Sequence, residues 1–159
     1  MSLAAREMET TAMGEANVDT TLVIERRFAA APERVYAAFT DASILSEWFG
    51  PEGMEIPEAD VDLRVGGAYR IRMKSTTTDD DHTVAGIYKE IDPPKRLSFT
   101  WAWQGEEMPG VETLVTLEFE AAGTGTVMTL TQEGFENTHF RDRHNEGWCS
   151  SFNCLDAVL

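Results

Sequence analysis

The chain has 159 residues, 42% of them hydrophobic and 26% charged, the proportions of one soluble globular domain with a real core. Twenty-eight acidic against thirteen basic side chains leave a net charge of −15, which repels phosphate backbones and anionic lipid and excludes nucleic acid as the expected partner. No apolar run approaches the roughly 18 residues of a membrane helix.

Residues 1–19, MSLAAREMETTAMGEANVD, are polar and acidic, without the basic start and apolar middle of a secretory leader. They are expected to form a flexible acidic tail before a single domain over residues 20–159. With two cysteines and no leader, the expected location is the cytoplasm.

The domain opens on TTLVIERRF, where Leu22, Ile24 and Phe28 alternate with Val23, Glu25 and Arg27, a strand with one apolar face. APERVYAAF follows, with Pro32 suited to a first helical position and Val35, Tyr36 and Phe39 on one side. A second short helix runs from the N-cap Asp41 through Ile44, Leu45 and Trp48, and Gly50-Pro51 ends it.

From Met54 to Phe135 six short alternating segments follow: EIPEADVDL, AYRIRMK, TVAGIYKEI, RLSFTWAW, ETLVTLEFE and TVMTLTQE. Gly66-Gly67, Asp92-Pro93-Pro94, Pro109-Gly110 and Gly123-Thr124-Gly125 separate several of them with turn chemistry. Short connections imply an antiparallel meander. Asn137 or Thr138 then caps a helix running to Leu159. The expected class is α+β, a curved seven-stranded antiparallel sheet whose apolar face is covered by the long C-terminal helix.

On that helix, at 100° per residue with Trp148 as zero, Phe152 falls near ~40°, Leu155 near ~340° and Leu159 near ~20°. His144 lies at the stripe's edge, about 320°. It is either a hydrogen-bonded wall histidine or an acid/base group facing a carboxylate such as Glu118 or Glu133. Gly147 costs about 1 kcal/mol in a helix interior, which suggests close backbone approach by a neighbour. Cys149 and Cys154 diverge by ~140° and rise about 7.5 Å, so they form neither a disulfide nor a metal pair. Cys149 is expected beside the stripe and Cys154 more outward.

The Asp79–His82 run, DDDH, lacks the spacing of a calcium loop and reads as a solvated hairpin tip. His139, in the first turn of the last helix, is expected to be exposed. No phosphate loop, nucleophile elbow, zinc motif or cofactor fingerprint is present. RLSFTWAW instead sets Leu97, Phe99, Trp101 and Trp103 on one face, and Trp48-Phe49 and Trp148 add three more rings. Indoles are hard to bury completely and carry an N–H that wants a partner, so this set suggests the walls of a cavity.

The segments IERRFAAAPERVYAAFTDASILSEWFGP, VDLRVGGAYRIRM, GIYKEIDPPKRLSFTWAW, TLVTLEFE, GTVMTLTQEGF and HNEGWCSSFNCLD, in that order and spacing, resemble proteins similar to the C-terminal domain of the heat-shock-protein-90 ATPase activator. That family lies within the SRPBCC, or START-like, superfamily, and the resemblance spans Thr21 to Leu159. It implies the helix-grip fold, with a deep, largely apolar cavity between sheet and terminal helix in which superfamily members bind hydrophobic ligands. A minority catalyse cyclisation or hydrolysis, but the resemblance supplies no catalytic set and no metal or cofactor. Trp48, Phe49, Phe99, Trp101, His144 and Trp148 match its motifs and become expected cavity or rim residues, joined by Tyr69, Trp103 and Phe152. The cysteines depart from the pattern: Cys149 stands where a small residue is usual and Cys154 where a polar one is.

The expected function is therefore non-catalytic binding of a small, mostly apolar or amphipathic molecule. A cyclase, dehydratase or hydrolase in the same cavity is the first alternative. The second is a protein-interaction module, through a homodimer or a chaperone contact, whose mark would be apolar side chains clustered outside the sheet.

Overall fold

The computed structural model describes residues 20–105 and 111–159. The expected tail at 1–19 and the turn at Pro109-Gly110 lie outside the described residues. The order is β1 (Thr21–Phe28), α1 (Pro32–Thr40), α2 (Ala42–Trp48), β2 (Met54–Val61), β3 (Ala68–Ser75), β4 (Asp81–Asp92), β5 (Arg96–Gln104), β6 (Glu112–Ala122), β7 (Gly125–Glu133) and α3 (Thr138–Val158). All seven strands form one antiparallel sheet in the order β1-β7-β6-β5-β4-β3-β2. The meander from β2 to β7 is thus continuous, and β1 closes against β7. This is the helix-grip arrangement expected from the element order.

Local chemistry accounts for the element ends. Asp41 accepts from the Ser43 amide and caps α2; Asn137 accepts from the Phe140 amide over 3.0 Å and caps α3. Each side chain satisfies an amide that the first helical turn leaves without a partner. On β1, Leu22, Ile24 and Phe28 are buried while Val23, Glu25 and Arg27 are not, the alternation a half-buried strand requires. On the outer face of β3, Arg70 pairs with Glu58 and Arg72 with Asp81, so these cations are spent on neighbouring strands.

Trp148, Phe152 and Leu155 of α3 pack into the sheet, each at most 4% exposed. Burying such side chains is worth roughly 1.5–3 kcal/mol apiece, ample to hold a helix whose other face is polar. Phe28 and Phe39 meet Phe152 edge-on, both at 6.3 Å between ring centres, and so join β1 and α1 to α3.

The cysteines reverse their expected positions. Both are free, but Cys149 is exposed and Cys154 half-buried against the core, where burial raises its thiol pKa. Ser151 and His144 are buried as well, so the helix's inner sector is centred near ~340° rather than 0°. That shift turns Cys154 toward the core and Cys149 away from it.

Candidate functional site

Where β5, the β3–β4 hairpin, the α2–β2 turn and the N-terminal half of α3 converge, the structure leaves a cleft of about 440 Å³. Its aromatic wall is Phe49, Trp101, Trp103 and Trp148, with Met54 and Met73 beside them. Trp101 is the hub. Its ring centre lies 4.9 Å from Trp148, 5.5 Å from Trp103 and 6.0 Å from Phe49.

Period two on β5 presents Trp101 and Trp103 on one face, and antiparallel register sets Val84 opposite Trp103. One strand further, Met73 pairs with His82, which brings both into the cleft wall. Gly50, at φ 91°, turns the chain out of α2. A Cβ there would come within 3.0 Å of the Met73 sulfur, so glycine serves both the turn and the packing.

The polar groups of the wall are mostly matched. Trp148 Nε1 donates to Gln132 Oε1 over 2.8 Å, and Gln132 Nε2 donates to Thr113 Oγ1 over 2.8 Å. Thr113 in turn donates to the Trp101 carbonyl. Gln132 is completely buried, and this chain of bonds is what permits it.

Trp103 Nε1 donates to His144 Nε2 over 2.9 Å, while His144 Nδ1 lies 2.8 Å from the Phe140 carbonyl. An indole N–H only donates, so Nε2 must be the acceptor and Nδ1 must carry the proton. His144 is therefore neutral with both nitrogens occupied. Burial lowers its pKa, the Phe140 carbonyl opposes that, and the nearby Arg143 charge lowers it further.

The proposed site residues divide into two groups. Phe49, Trp101, Trp103, His144 and Trp148 line the cleft. Trp48, Tyr69, Phe99 and Phe152 do not; they are core. Trp48 Nε1 donates to the Ala38 carbonyl, fixing α2 to α1. The Tyr69 hydroxyl donates to the Thr100 carbonyl over 2.6 Å, and its ring packs on Tyr88 and Phe99. Phe152 stacks behind Trp148 at 5.5 Å.

Gly147 overturns its expectation. A Cβ placed there meets only the Pro51 ring, at 4.0 Å, so no backbone approaches it. It lies in the cleft wall, where the missing side chain leaves room. The DDDH run is also more than a hairpin tip. Asp79 and Asp80 are in the turn, but Asp81 and His82 begin β4 and line the cleft. His139 is exposed, as expected.

Glu118 is exposed and pairs with Arg96, and Glu133 is exposed at a separate recess. Neither faces His144 across the cleft. Among the described residues no cluster of His, Cys, Asp and Glu could hold a metal ion, and no helix is long and apolar enough to cross a membrane.

The family model described as activator of Hsp90 ATPase homolog 1-like protein matches residues 29–159. A crystal structure of a Chromobacterium violaceum protein is similar at TM-score 0.80 and 30% identity, over 87% of this chain and 96% of that one. One from Silicibacter pomeroyi gives 0.78 and 32%, also over 87% and 96%. One from Rhizobium loti gives 0.70 and 26%, over 90% and 99%. No curated protein gives a significant match.

Proposed function

This chain belongs to the activator of Hsp90 ATPase homolog 1-like family, and on that premise we propose that it is a cytoplasmic binding protein. Its cleft holds a small, mostly apolar molecule without changing it chemically. The fold is typically a ligand-binding one, and the observation that carries the reading is the wall itself. Four aromatic rings and two methionines surround about 440 Å³ between sheet and helix, a volume suited to a small organic molecule. Burying ~200 Å² of ligand at about 25 cal/mol/Å² supplies ~5 kcal/mol before association costs.

At His144 the geometry favours binding over acid–base catalysis. A general acid or base needs a titratable group free to reach substrate, whereas both His144 nitrogens are engaged by protein. A docking role finds less support on the sheet's outer face. Of the exposed large apolar residues, Val23 on β1 and Ile87 on β4 lie four strand spacings or ~19 Å apart, and Leu63 and Val65 lie in the β2–β3 connection rather than on a strand.

Native mass spectrometry of the protein as purified should reveal a co-purifying small molecule. An apolar bicycle such as tetralin should quench tryptophan emission saturably. Protein that carries no adduct and shows no saturable quenching rules the reading out.

A further inference from the structure

Among the described residues, one buried side-chain nitrogen or oxygen lacks a hydrogen-bond partner: Trp101 Nε1. Trp101 is 5% exposed and belongs to the cleft wall. The other three indoles have acceptors: Ala38 for Trp48, His144 for Trp103 and Gln132 for Trp148. A fold that satisfies three of four indoles and strands the one at the hub of its cleft leaves that donor for something else, since a buried unmade bond is costly.

The cleft's charges point the same way. Asp81 at the wall is held by two bonds from Arg72, at 3.0 and 2.7 Å, so its charge is offset. Arg143 lines the same cleft and forms no ion pair among the described residues. The wall therefore holds one unmatched N–H donor and a cation, in a chain whose overall charge is strongly negative.

Resting on the binding reading above, we infer that the occupant is an apolar molecule carrying an oxygen acceptor, a ketone, ester or carboxylate, which accepts from Trp101 Nε1. An amine or a pure hydrocarbon fits the cleft less well. Trp103 is the half-buried member of the rings around Trp101; Phe49, His144 and Trp148 are all buried. Trp101 Nε1 is sealed from water, so an acceptor reaches it only by displacing a neighbouring ring, and Trp103 is the most exposed of these.

The test uses three bicycles of one shape: α-tetralone with a carbonyl, tetralin with none, and aminotetralin, a cation at neutral pH. Binding is read by tryptophan quenching. A cleft that only buries area would prefer tetralin, because water solvates the ketone better. The expected result is that tetralone binds at least as tightly as tetralin, with aminotetralin weakest. In Trp101→Phe, tetralone should weaken about tenfold, the value of one bond to a buried donor, while tetralin changes less than about threefold.

A wild-type measurement guards against a variant that fails to fold. Of the four indole N–H resonances, one should move downfield with tetralone and stay with tetralin. Tetralin or the amine binding tightest, both bicycles weakening equally in the variant, or no ketone-specific resonance shift overturns the inference. Tetralin that binds while the ketone preference is missing leaves the binding reading standing. Failure of all three molecules to bind overturns both.

Discussion

Trp103 and His144, forty-one residues apart, are joined by a 2.9 Å bond from the indole to the imidazole. The bond ties β5 to α3 within the cleft wall, and it exists only while His144 is neutral. A proton on Nε2 would set two donors against each other. Because burial lowers the His144 pKa below its usual 6.5, the unfolded chain takes up this proton first. Stability from this residue is full above about 6.5 and falls as the pH drops through the lowered folded value. The limiting slope for one proton is about 1.4 kcal/mol per pH unit. Denaturation midpoints between pH 7 and 5 should decline more steeply in the wild type than in His144→Phe, and equal slopes would contradict this.

Gln132→Leu tests the bonds behind the wall. The change keeps approximate volume but strands the Trp148 indole N–H and removes the donor to Thr113. A buried donor left without a partner costs roughly 1–3 kcal/mol. Chemical denaturation should show a loss of about 2 kcal/mol, and Gln132→Glu should lose more at pH 7 by placing a charge at the same buried point. A neutral Gln132→Leu would mean that Trp148 finds another acceptor.

What could be read from residues alone, and what could not, follows from range. Caps and alternation are local: Asp41, Asn137 and the Leu22–Ile24–Phe28 face depend on neighbours within four residues, and all stood in the sequence. The division between cleft and core is not local. Trp101 and Phe99 share a face of β5, yet Phe99 is walled in by Tyr69 and Tyr88 while Trp101 borders open space. Only cross-strand register decides that. The same register brings in Met73 and His82, and the α2 turn brings in Gly50, Pro51 and Met54. The period-two run Tyr69–Ile71–Met73 is enough to put Met73 on an inward face; nothing local distinguishes cleft from core there.

Gly86 predicts a sharp failure. It lies on β4 beneath Tyr69, its register partner on β3. A Cβ there would fall 1.9 Å from the Thr100 carbonyl oxygen and 2.7 Å from Tyr69 Cε2. Backbone cannot yield as a side-chain tip can, so Gly86→Ala must displace β5 or expel the Tyr69 ring. The expected loss is about 3 kcal/mol, the upper end for overpacked cores. It should come with loss of near-ultraviolet tyrosine signal from Tyr69. A loss under about 1 kcal/mol would show that the two strands are not held this closely.

Gly147 separates stability from binding within one position. Its conformational freedom is a liability in the middle of α3, worth about 1 kcal/mol against alanine. Nothing in the packing requires it, since a Cβ would touch only the Pro51 ring at 4.0 Å. Gly147→Ala should therefore stabilise the protein by about 0.5–1 kcal/mol. Gly147→Leu should keep much of that helical gain, because its added atoms extend into the cleft rather than the core. Saturable quenching by tetralin should nevertheless be lost in Gly147→Leu and retained in Gly147→Ala. A stable leucine variant that still binds would place the ligand elsewhere. Loss of stability in the alanine variant would mean that α3 is packed more tightly at this point than its neighbours indicate.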